Sequence, residues 1–252
     1  MTKIISVVSG KGGVGKTTLV ANLGVALASI GKNVLLIDGN LSGANLGLHL
    51  DILPFYPFSL NNVLKGDVPL AKSIYRHHSG VEVIPASLTD IEVNVRRLKY
   101  ALRELIGRKD FIIIDSAAGM DHEVKTAVNV ADSIIIVTNP ELPALADAMR
   151  IKGMIMEYGK QIDGIVLNRV CGDEFELSKD YVEDYLKLPV IATIPEHKKV
   201  KEAIALKLPV VLHAPLSKPA LEIRRFSHML AEIEMPALTL KEKLKMFLGL
   251  VR

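Results

Sequence analysis

A glycine-rich loop near the start of the chain limits most strongly what the chain can fold into. Residues 10–17 read GKGGVGKT, which matches the phosphate-binding pattern G-x-x-x-x-G-K-[S/T]. An apolar stretch (IISVV) precedes the loop, and a stretch with a helical pattern follows it. This order places the free N–H groups and the positive dipole end of a helix against bound phosphate.

The residue types in the loop suit a nucleotide that carries Mg²⁺. The glycines allow the backbone N–H groups to surround phosphate oxygens, Lys16 would reach the β- and γ-phosphates, and Thr17 would ligate Mg²⁺. The loop residues expected to contact the nucleotide are Gly12, Gly13, Val14, Gly15, Lys16, Thr17 and Thr18.

The rest of the chain alternates apolar β-branched runs with longer helical patterns. Strands are predicted at Ile4–Val8, Val34–Ile37, Val81–Ile84, Phe111–Ile114, Ser133–Val137, Gly164–Leu167 and Val190–Ile194. Helices are predicted at Lys16–Ser29, Asp90–Ile106, Asp121–Val130, Pro143–Tyr158, Leu177–Leu186, Lys198–Leu206 and Pro219–Ile233. Continuous apolar runs are typical of strands buried on both faces. The pattern predicts an α/β fold: a doubly wound, mostly parallel sheet of about seven or eight strands with helices on both faces.

Charge and cysteine content exclude several classes of protein. The chain has 31 Lys and Arg against 28 Asp and Glu, and the whole excess of three lies in residues 239–252, so the body is formally neutral. A neutral body gives no reason to expect a protein that coats nucleic acid. Cys171 is the single cysteine, which excludes an intrachain disulfide and weakly favours a reducing compartment. With no apolar stretch long enough to span a membrane and no signal-peptide pattern, we expect a cytoplasmic protein.

Several segments resemble the MinD/ParA family of ATPases. KGGVGKTT is similar to the family's deviant Walker A motif, and FIIIDSAAG, IIIVTNPE, GIVLNRV and IPEHKKVKEAIALKLPVV match family blocks in order. TNPE and the last block favour the MinD branch over plasmid ParA. The resemblance implies a P-loop NTPase fold of the SIMIBI type that binds ATP, ADP and Mg²⁺. The iron–sulfur branches need a CxxC motif, which Cys171 alone cannot supply.

Lys11 is the second lysine of the loop. On spacing alone, it could be a solvated loop residue. The resemblance implies that Lys11 reaches the nucleotide bound to a second copy of the chain, and therefore an ATP-dependent homodimer with Lys11 and Lys16 as catalytic residues.

Two aspartates end predicted strands where a ligand would bind. Asp38 follows the second predicted strand and Asp115 follows the fourth, and strand C-termini line the ligand crevice of an open parallel sheet. Both carboxylates are placed to hold Mg²⁺ together with Thr17, through the water molecules bound to the ion. A helix-capping role remains an alternative for each.

Asn40 departs from the family pattern. The family has D-x-D after the second strand, whereas this chain has Asp38-Gly39-Asn40. In relatives, the second aspartate orients the attacking water, and an amide carries no negative charge. We therefore expect slow or absent hydrolysis with ATP binding intact, because losing such a group costs about 10²–10⁴ in rate. Another group, such as Asp51 or a residue of a partner, could substitute.

The resemblance also assigns the pocket for the base. Asn168, with Pro195 and Glu196, is expected to lie near the adenine ring, although Asn168 could simply end a strand. His77 and His78 form an adjacent pair that we interpret as an exposed loop, because no further metal ligands occur at suitable spacing.

The last residues predict an amphipathic helix. Thr239-Leu240-Lys241-Glu242 matches a capping box, and the apolar residues Leu240, Leu244, Phe247, Leu248 and Val251 fall on one arc. Such basic amphipathic helices lie at membrane surfaces, and MinD proteins carry a tail of this kind. Packing on the protein's own core or on a partner remain alternatives. Pro236 marks the boundary between an ATPase domain (1–235) and this membrane-targeting helix (236–252).

These features predict a MinD-like, ATP-dependent protein that is peripheral on the inner face of the cell membrane. An unidentified activator or cargo protein is a further expected partner, and nucleic acid is not expected. The alternatives are a ParA-like protein that binds DNA and a scaffold that binds ATP without hydrolysing it.

Overall fold

A single mixed sheet forms the centre of the protein in the computed structural model, which describes residues 1–52, 57–87, 94 and 97–247. The sheet has eight strands in the order β3-β4-β2-β5-β1-β6-β7-β8. The strands are β1 (Lys3–Ser9), β2 (Val34–Gly39), β3 (Tyr75–Arg76), β4 (Glu82–Ile84), β5 (Phe111–Ala118), β6 (Ser133–Thr138), β7 (Gln161–Val170) and β8 (Val190–Pro195). All neighbours pair in parallel except β3 and β4.

Helices cover both faces of the sheet. They are α1 (Lys16–Ser29), α2 (Leu46–His49), α3 (Leu60–Lys65), α4 (Leu98–Leu102), α5 (His122–Val130), α6 (Leu142–Glu157), α7 (Lys179–Leu186), α8 (Lys198–Ala205), α9 (Val210–His213), α10 (Lys218–Leu230) and α11 (Leu240–Phe247). Two short 3₁₀ helices cover Leu70–Ser73 and Arg103–Leu105. The predicted doubly wound α/β fold is confirmed.

Two apolar cores lie on opposite sides of the sheet because successive strand residues point to opposite faces. On β5, Ile112 and Ile114 pack with α5 and α6, whereas Ile113 packs on the other side with α1 and α10. All three isoleucines are fully buried. Burial on both faces explains why the central strands have no polar alternation in the sequence.

The structure differs from the sequence prediction mainly in short elements. The antiparallel strand β3 and the short helices α2, α3 and α9 were not predicted. The helix predicted at Asp90–Ile106 is present only from Leu98 onward among the described residues, and residues 88–93, 95 and 96 lie outside them. Across the ranges that the structure describes, no helix is both long and apolar enough to span a bilayer.

Candidate nucleotide site

The loop of residues 10–17 connects β1 to α1 and requires glycine at two positions. Gly13 and Gly15 have φ values of +79° and +99°, in the region that L side chains rarely adopt. A Cβ atom on Gly15 would also lie 2.3 Å from Asn168 Nδ2. The loop backbone therefore approaches the end of β7 at a distance that only glycine permits.

Lys16 points into the site from the first residue of α1. Its ammonium Nζ lies 2.8 Å from Ser9 Oγ, and Ser9 Oγ donates to the carbonyl of Lys11 at 2.7 Å. Burial lowers the pKa of Lys16, and the nearby charge of Asp115 partly offsets that effect. The amine is thus held at the phosphate loop, close to a carboxylate that favours its charged form.

Asp38 and Asp115 lie side by side at the carboxyl ends of two paired strands. They are partners in the parallel register of β2 and β5, and both are fully buried. Burial raises the pKa of each carboxyl group. The charge of Asp115 raises the pKa of Asp38 further, whereas Thr17 and Lys16 act to lower that of Asp115. Two adjacent buried carboxylates favour a bound cation.

The two carboxylates differ in their partners. Asp38 accepts backbone N–H bonds from Asn40 at 3.2 Å and from Asn45 and Leu46 at 3.0 Å, which satisfy the start of α2. Asp38 therefore also has the capping role left open by the sequence. Both oxygens of Asp115, in contrast, are buried without a hydrogen-bond partner of normal geometry.

The two carboxylate oxygens of Asp115, which lack a hydrogen-bond partner of normal geometry, show whether Mg²⁺ fits this site. Asp115 does not cap a helix, because α5 begins after Asp121. Oxygen ligands suit Mg²⁺, which binds to proteins through one or two carboxylates, with water and phosphate completing its shell. The set of Thr17, Asp38 and Asp115 therefore fits a Mg²⁺ ion that is shared with a nucleotide. Among the residues that the structure describes, no group of three or more His, Cys, Asp or Glu could hold a metal ion.

Asn40 lies just beyond β2 and takes part in the loop that leads to α2. Its side-chain Nδ2 donates to the carbonyl of Gly43 at 2.6 Å, and Asn45 Nδ2 donates to the same carbonyl at 2.7 Å. Glu123 on α5 supports this loop by accepting the N–H of Leu41 at 3.0 Å. An aspartate at position 40 could not make the bond to Gly43.

The residues predicted to lie near the base are found together at the ends of β7 and β8. Asn168, Pro195 and Glu196 line one pocket together with Gly15 and Thr18. Asn168 Nδ2 donates to the carbonyl of Val14 at 2.7 Å, which leaves the amide oxygen as the acceptor for a ligand. Apolar side chains from the helices complete the walls, and they are Leu19, Val200, Ile204, Val210 and Ile223.

Arg169 and Lys201 also line this pocket and were missed in the sequence. Arg169 Nε lies 3.8 Å from one oxygen of Glu196, and Lys201 Nζ lies 3.2 Å from the other. Arg169 has a positive φ of 60°. Both residues lie within matched family blocks, but the blocks do not mark them as pocket residues, because their place at the pocket depends on how β7 and α8 meet.

The other residues named from the sequence lie apart from the buried site. Lys11 is exposed on the loop, so its side chain is accessible to a second molecule. Asp51 forms an ion pair with Lys207 at 3.0 Å and lines a pocket with His77. Because His77 precedes β4, that pocket lies near the amino end of this strand. The prediction that both histidines are exposed was wrong for His77, which is buried and whose pKa burial lowers to about 4.

The C-terminal helix α11 has the predicted capping box. Glu242 accepts bonds from Thr239 N and Thr239 Oγ1 at 2.8 and 2.7 Å, and Glu242 N donates to Thr239 Oγ1 at 3.3 Å. Leu240 is 86% exposed and Leu244 is 57% exposed. These two apolar side chains are not packed in the protein's own core. Residues 248–252, with the predicted Leu248 and Val251, lie outside the described part.

Comparison with known proteins identifies a family. Residues 5–210 match the CobQ/CobB/MinD/ParA nucleotide binding domain. The chain is 39% identical over 215 residues to an uncharacterised ATP-binding protein of Methanocaldococcus jannaschii, a match that covers 82% of this chain and 80% of the relative.

Two solved structures share the fold over almost their whole length. The septum site-determining protein MinD of Pyrococcus horikoshii, complexed with Mg-ADP, is 36% identical with a TM-score of 0.87, and the match covers 91% of this chain and 96% of that one. A MinC:MinD cell division complex of Aquifex aeolicus contains a chain that is 31% identical with a TM-score of 0.84, and the match covers 94% and 98%.

Proposed function

Because this chain belongs to the CobQ/CobB/MinD/ParA family of nucleotide-binding proteins, we propose that it is a MinD-type ATPase that acts as a membrane-associated switch. In this proposal ATP and Mg²⁺ bind at residues 10–17, two copies then associate, and the dimer binds the membrane surface to position another protein.

Nucleotide binding rests on the site at the carboxyl ends of β1, β2 and β5. The loop N–H groups and Lys16 hold the phosphates, Asn168 and Pro195 hold the base, and Thr17, Asp38 and Asp115 hold Mg²⁺. The P. horikoshii relative is complexed with Mg-ADP, which supports the same ligands here. Bound Mg²⁺ would neutralise phosphate charge during hydrolysis. The buried carboxylate of Asp115, which has no hydrogen-bond partner of normal geometry, is the single observation that carries the proposal.

Dimerisation rests on Lys11. Its exposed position on the phosphate loop allows the side chain to contact the nucleotide of a second copy. The edges of the two sheets that carry the phosphate loops would then face each other, and ATP would lie between the two copies. The resemblance of KGGVGKTT to the deviant Walker A motif supports this arrangement.

Membrane binding rests on α11 and on the excess of basic residues at the C-terminus. The exposed Leu240 and Leu244 would enter the lipid interface while basic side chains remain at the headgroups. One short helix binds weakly, but two helices on one dimer act together and strengthen binding by about 10²–10⁴. The nucleotide state would thereby control membrane residence and localise the protein to the inner face of the cell membrane.

Turnover is expected to be slow because Asn40 replaces the second aspartate of the family pattern. The amide of Asn40 is bonded to Gly43 and carries no charge with which to accept a proton. A protein partner could supply the missing group. The A. aeolicus relative is found in a complex with MinC, which supports a protein partner for this chain as well.

Flotation with anionic liposomes tests the proposal directly. We expect the full chain to float with ATP and Mg²⁺ but not with ADP, and a chain that ends at Leu238 to remain unbound with either nucleotide. Equal flotation of the two chains would contradict the proposed role of α11. ATP-dependent, salt-sensitive binding to duplex DNA without flotation would instead support a ParA-like role.

A further inference from the structure

A groove on the helical face opposite α1 has features of a binding site that the nucleotide site does not use. It is lined by Lys99 and Tyr100 of α4, Tyr158 at the end of α6, and one face of α5. We call it the α5 groove. The α5 residues that line it are His122, Lys125, Thr126, Asn129 and Val130.

The sequence of α5 divides its residues between core and groove. Val124, Ala127 and Val128 are buried against the sheet, whereas His122, Lys125 and Asn129 are exposed. The residues that line the groove are spaced at i, i+3, i+4, i+7 and i+8, so they form a continuous face of the helix. A helix of nine residues is about 13 Å long. An extended peptide advances about 3.3 Å per residue, so roughly four residues would follow this face.

The residues that line the groove carry charge of one sign. None of the described residues that line it is acidic, and Lys99 and Lys125 contribute cations from two different helices. The acid of the first turn of α5, Glu123, points to the other side, where it accepts the N–H of Leu41. A bound group that complements this groove is therefore negatively charged.

A third lysine lies close to this charge. Lys160 Nζ donates to the carbonyl of Ala131 at 2.8 Å, at the end of α5. Burial lowers the pKa of Lys160, and the charge of Lys99 lowers it further, whereas Asp132 raises it. The carboxylate of Asp132 is itself bonded to the N–H of Ile4. Lysines held near one another in this way favour an anion that neutralises them.

Two tyrosines give the groove apolar contact area as well. Tyr100 is 64% exposed and Tyr158 is 41% exposed. The Arg103 guanidinium lies over the ring of Tyr100, 5.1 Å from its centroid, which restrains the ring and adds another cation near the groove. Tyrosine and arginine are enriched at the centres of protein interfaces.

We infer that the α5 groove binds an acidic segment of a partner protein, in which carboxylates alternate with apolar side chains. The short length of the groove and its apolar rings favour a peptide over nucleic acid. Nucleic acid binding needs an extended basic surface, whereas the body of this chain is formally neutral. No residue that lines the groove belongs to the nucleotide site, and a cargo or regulator would be recognised through the groove.

Fluorescence anisotropy with defined peptides tests this inference on the full chain at physiological salt. The probe is a labelled pentapeptide Glu-Leu-Glu-Phe-Glu, and its matched controls are Gln-Leu-Gln-Phe-Gln and Glu-Ser-Glu-Ser-Glu. We expect the first peptide to bind best. Replacing its acids or its apolar residues should weaken binding, because the groove offers both cations and rings. Equal affinity for all three peptides, or no binding of the first, would overturn the inference.

Variants of single lysines show where on the protein the peptide binds. Lys125→Glu is expected to weaken binding of Glu-Leu-Glu-Phe-Glu about tenfold, because it reverses a charge within the groove. Lys218→Glu is the matched control, since Lys218 is exposed on α10 at the other face of the sheet. Unchanged binding of a fluorescent ATP analogue by both variants would show that the fold is retained. Equal losses of peptide affinity in both variants would overturn the inference. Displacement of the peptide by a 24-base-pair DNA duplex that itself binds in the groove would overturn it as well.

Discussion

Asn40 lies directly after β2, where the family pattern has a second aspartate. Its amide is held by Gly43, and its backbone N–H donates to Asp38. We expect Asn40→Asp to raise ATP turnover, by up to about 10²–10⁴, because a carboxylate can orient and deprotonate the attacking water. Phosphate release from ATP and Mg²⁺ measures this effect.

Asn45→Asp is the matched control for Asn40→Asp. Asn45 also donates to the carbonyl of Gly43 and lies in the same loop, so this variant adds the same charge nearby. Its turnover should stay near that of the unmodified chain. Equal ATP turnover in the two variants would show that any added negative charge in this loop raises the rate, which would contradict a specific role for residue 40.

Asp115 gives a prediction about pH. Its folded-state pKa is raised by burial, so the protonated form is favoured in the fold. The contribution of this carboxyl group to the stability of the nucleotide-free protein is therefore fully present below the ordinary carboxyl pKa near 4 and is lost as pH rises through the higher folded value. Asp115→Asn should reduce the loss of unfolding free energy between pH 5 and pH 8, by about 1–3 kcal/mol.

Thermal or urea unfolding at the two pH values measures this difference. Asp121→Asn serves as a control, because Asp121 is exposed in the loop before α5. An equal pH dependence in Asp115→Asn and in the unmodified chain would show that this carboxyl does not titrate with a raised pKa. Asp115→Asn should also weaken the dependence of nucleotide affinity on Mg²⁺.

At the residue level, the sequence indicated the parts of the site that follow a local pattern. The loop glycines, Lys16 and the strand-end aspartates are fixed by their neighbours in the chain, and the structure places them together. Ser9 at the ammonium of Lys16 and Arg169 beside Glu196 have no such pattern. Contacts of that kind depend on how separate segments meet, which a single sequence does not show.

At the scale of elements, α11 is a capped helix whose first apolar residues face solvent. We expect Leu244→Glu to abolish ATP-dependent flotation with anionic liposomes, because a carboxylate on the apolar face opposes insertion. Leu206→Glu is a closely matched control, since Leu206 is 58% exposed and Leu244 is 57% exposed. Equal loss of flotation in both variants would indicate a general effect of added negative charge.

The long elements could be predicted from the sequence, whereas the short ones could not. Helix α1 has the predicted bounds, and the buried strands were marked by continuous apolar runs. Strand β3 has only two residues and α2 only four, so neither is long enough to show a periodicity. The start of α2 is set instead by Asp38. Its carboxylate accepts the backbone N–H groups of Asn45 and Leu46, which follow it by seven and eight residues.

At the scale of the whole molecule, the proposed binding sites lie on different surfaces. The nucleotide loop and Lys11 lie at the carboxyl edge of the parallel strands, the α5 groove follows one helical face, and α11 projects apolar side chains into solvent. Such a molecule could bind a second copy, a membrane and a partner protein together.

The measurement that tests the central claim most directly is the mass of the protein in solution with ATP and Mg²⁺. We predict a dimer with ATP and a monomer with ADP, and we predict that Lys11→Ala stays monomeric with ATP while still binding it. Lys32→Ala, altered at the turn between α1 and β2, should dimerise normally. A mass that does not depend on the nucleotide, or a Lys11→Ala variant that dimerises fully with ATP, would contradict the claim that nucleotide-dependent dimerisation operates the switch.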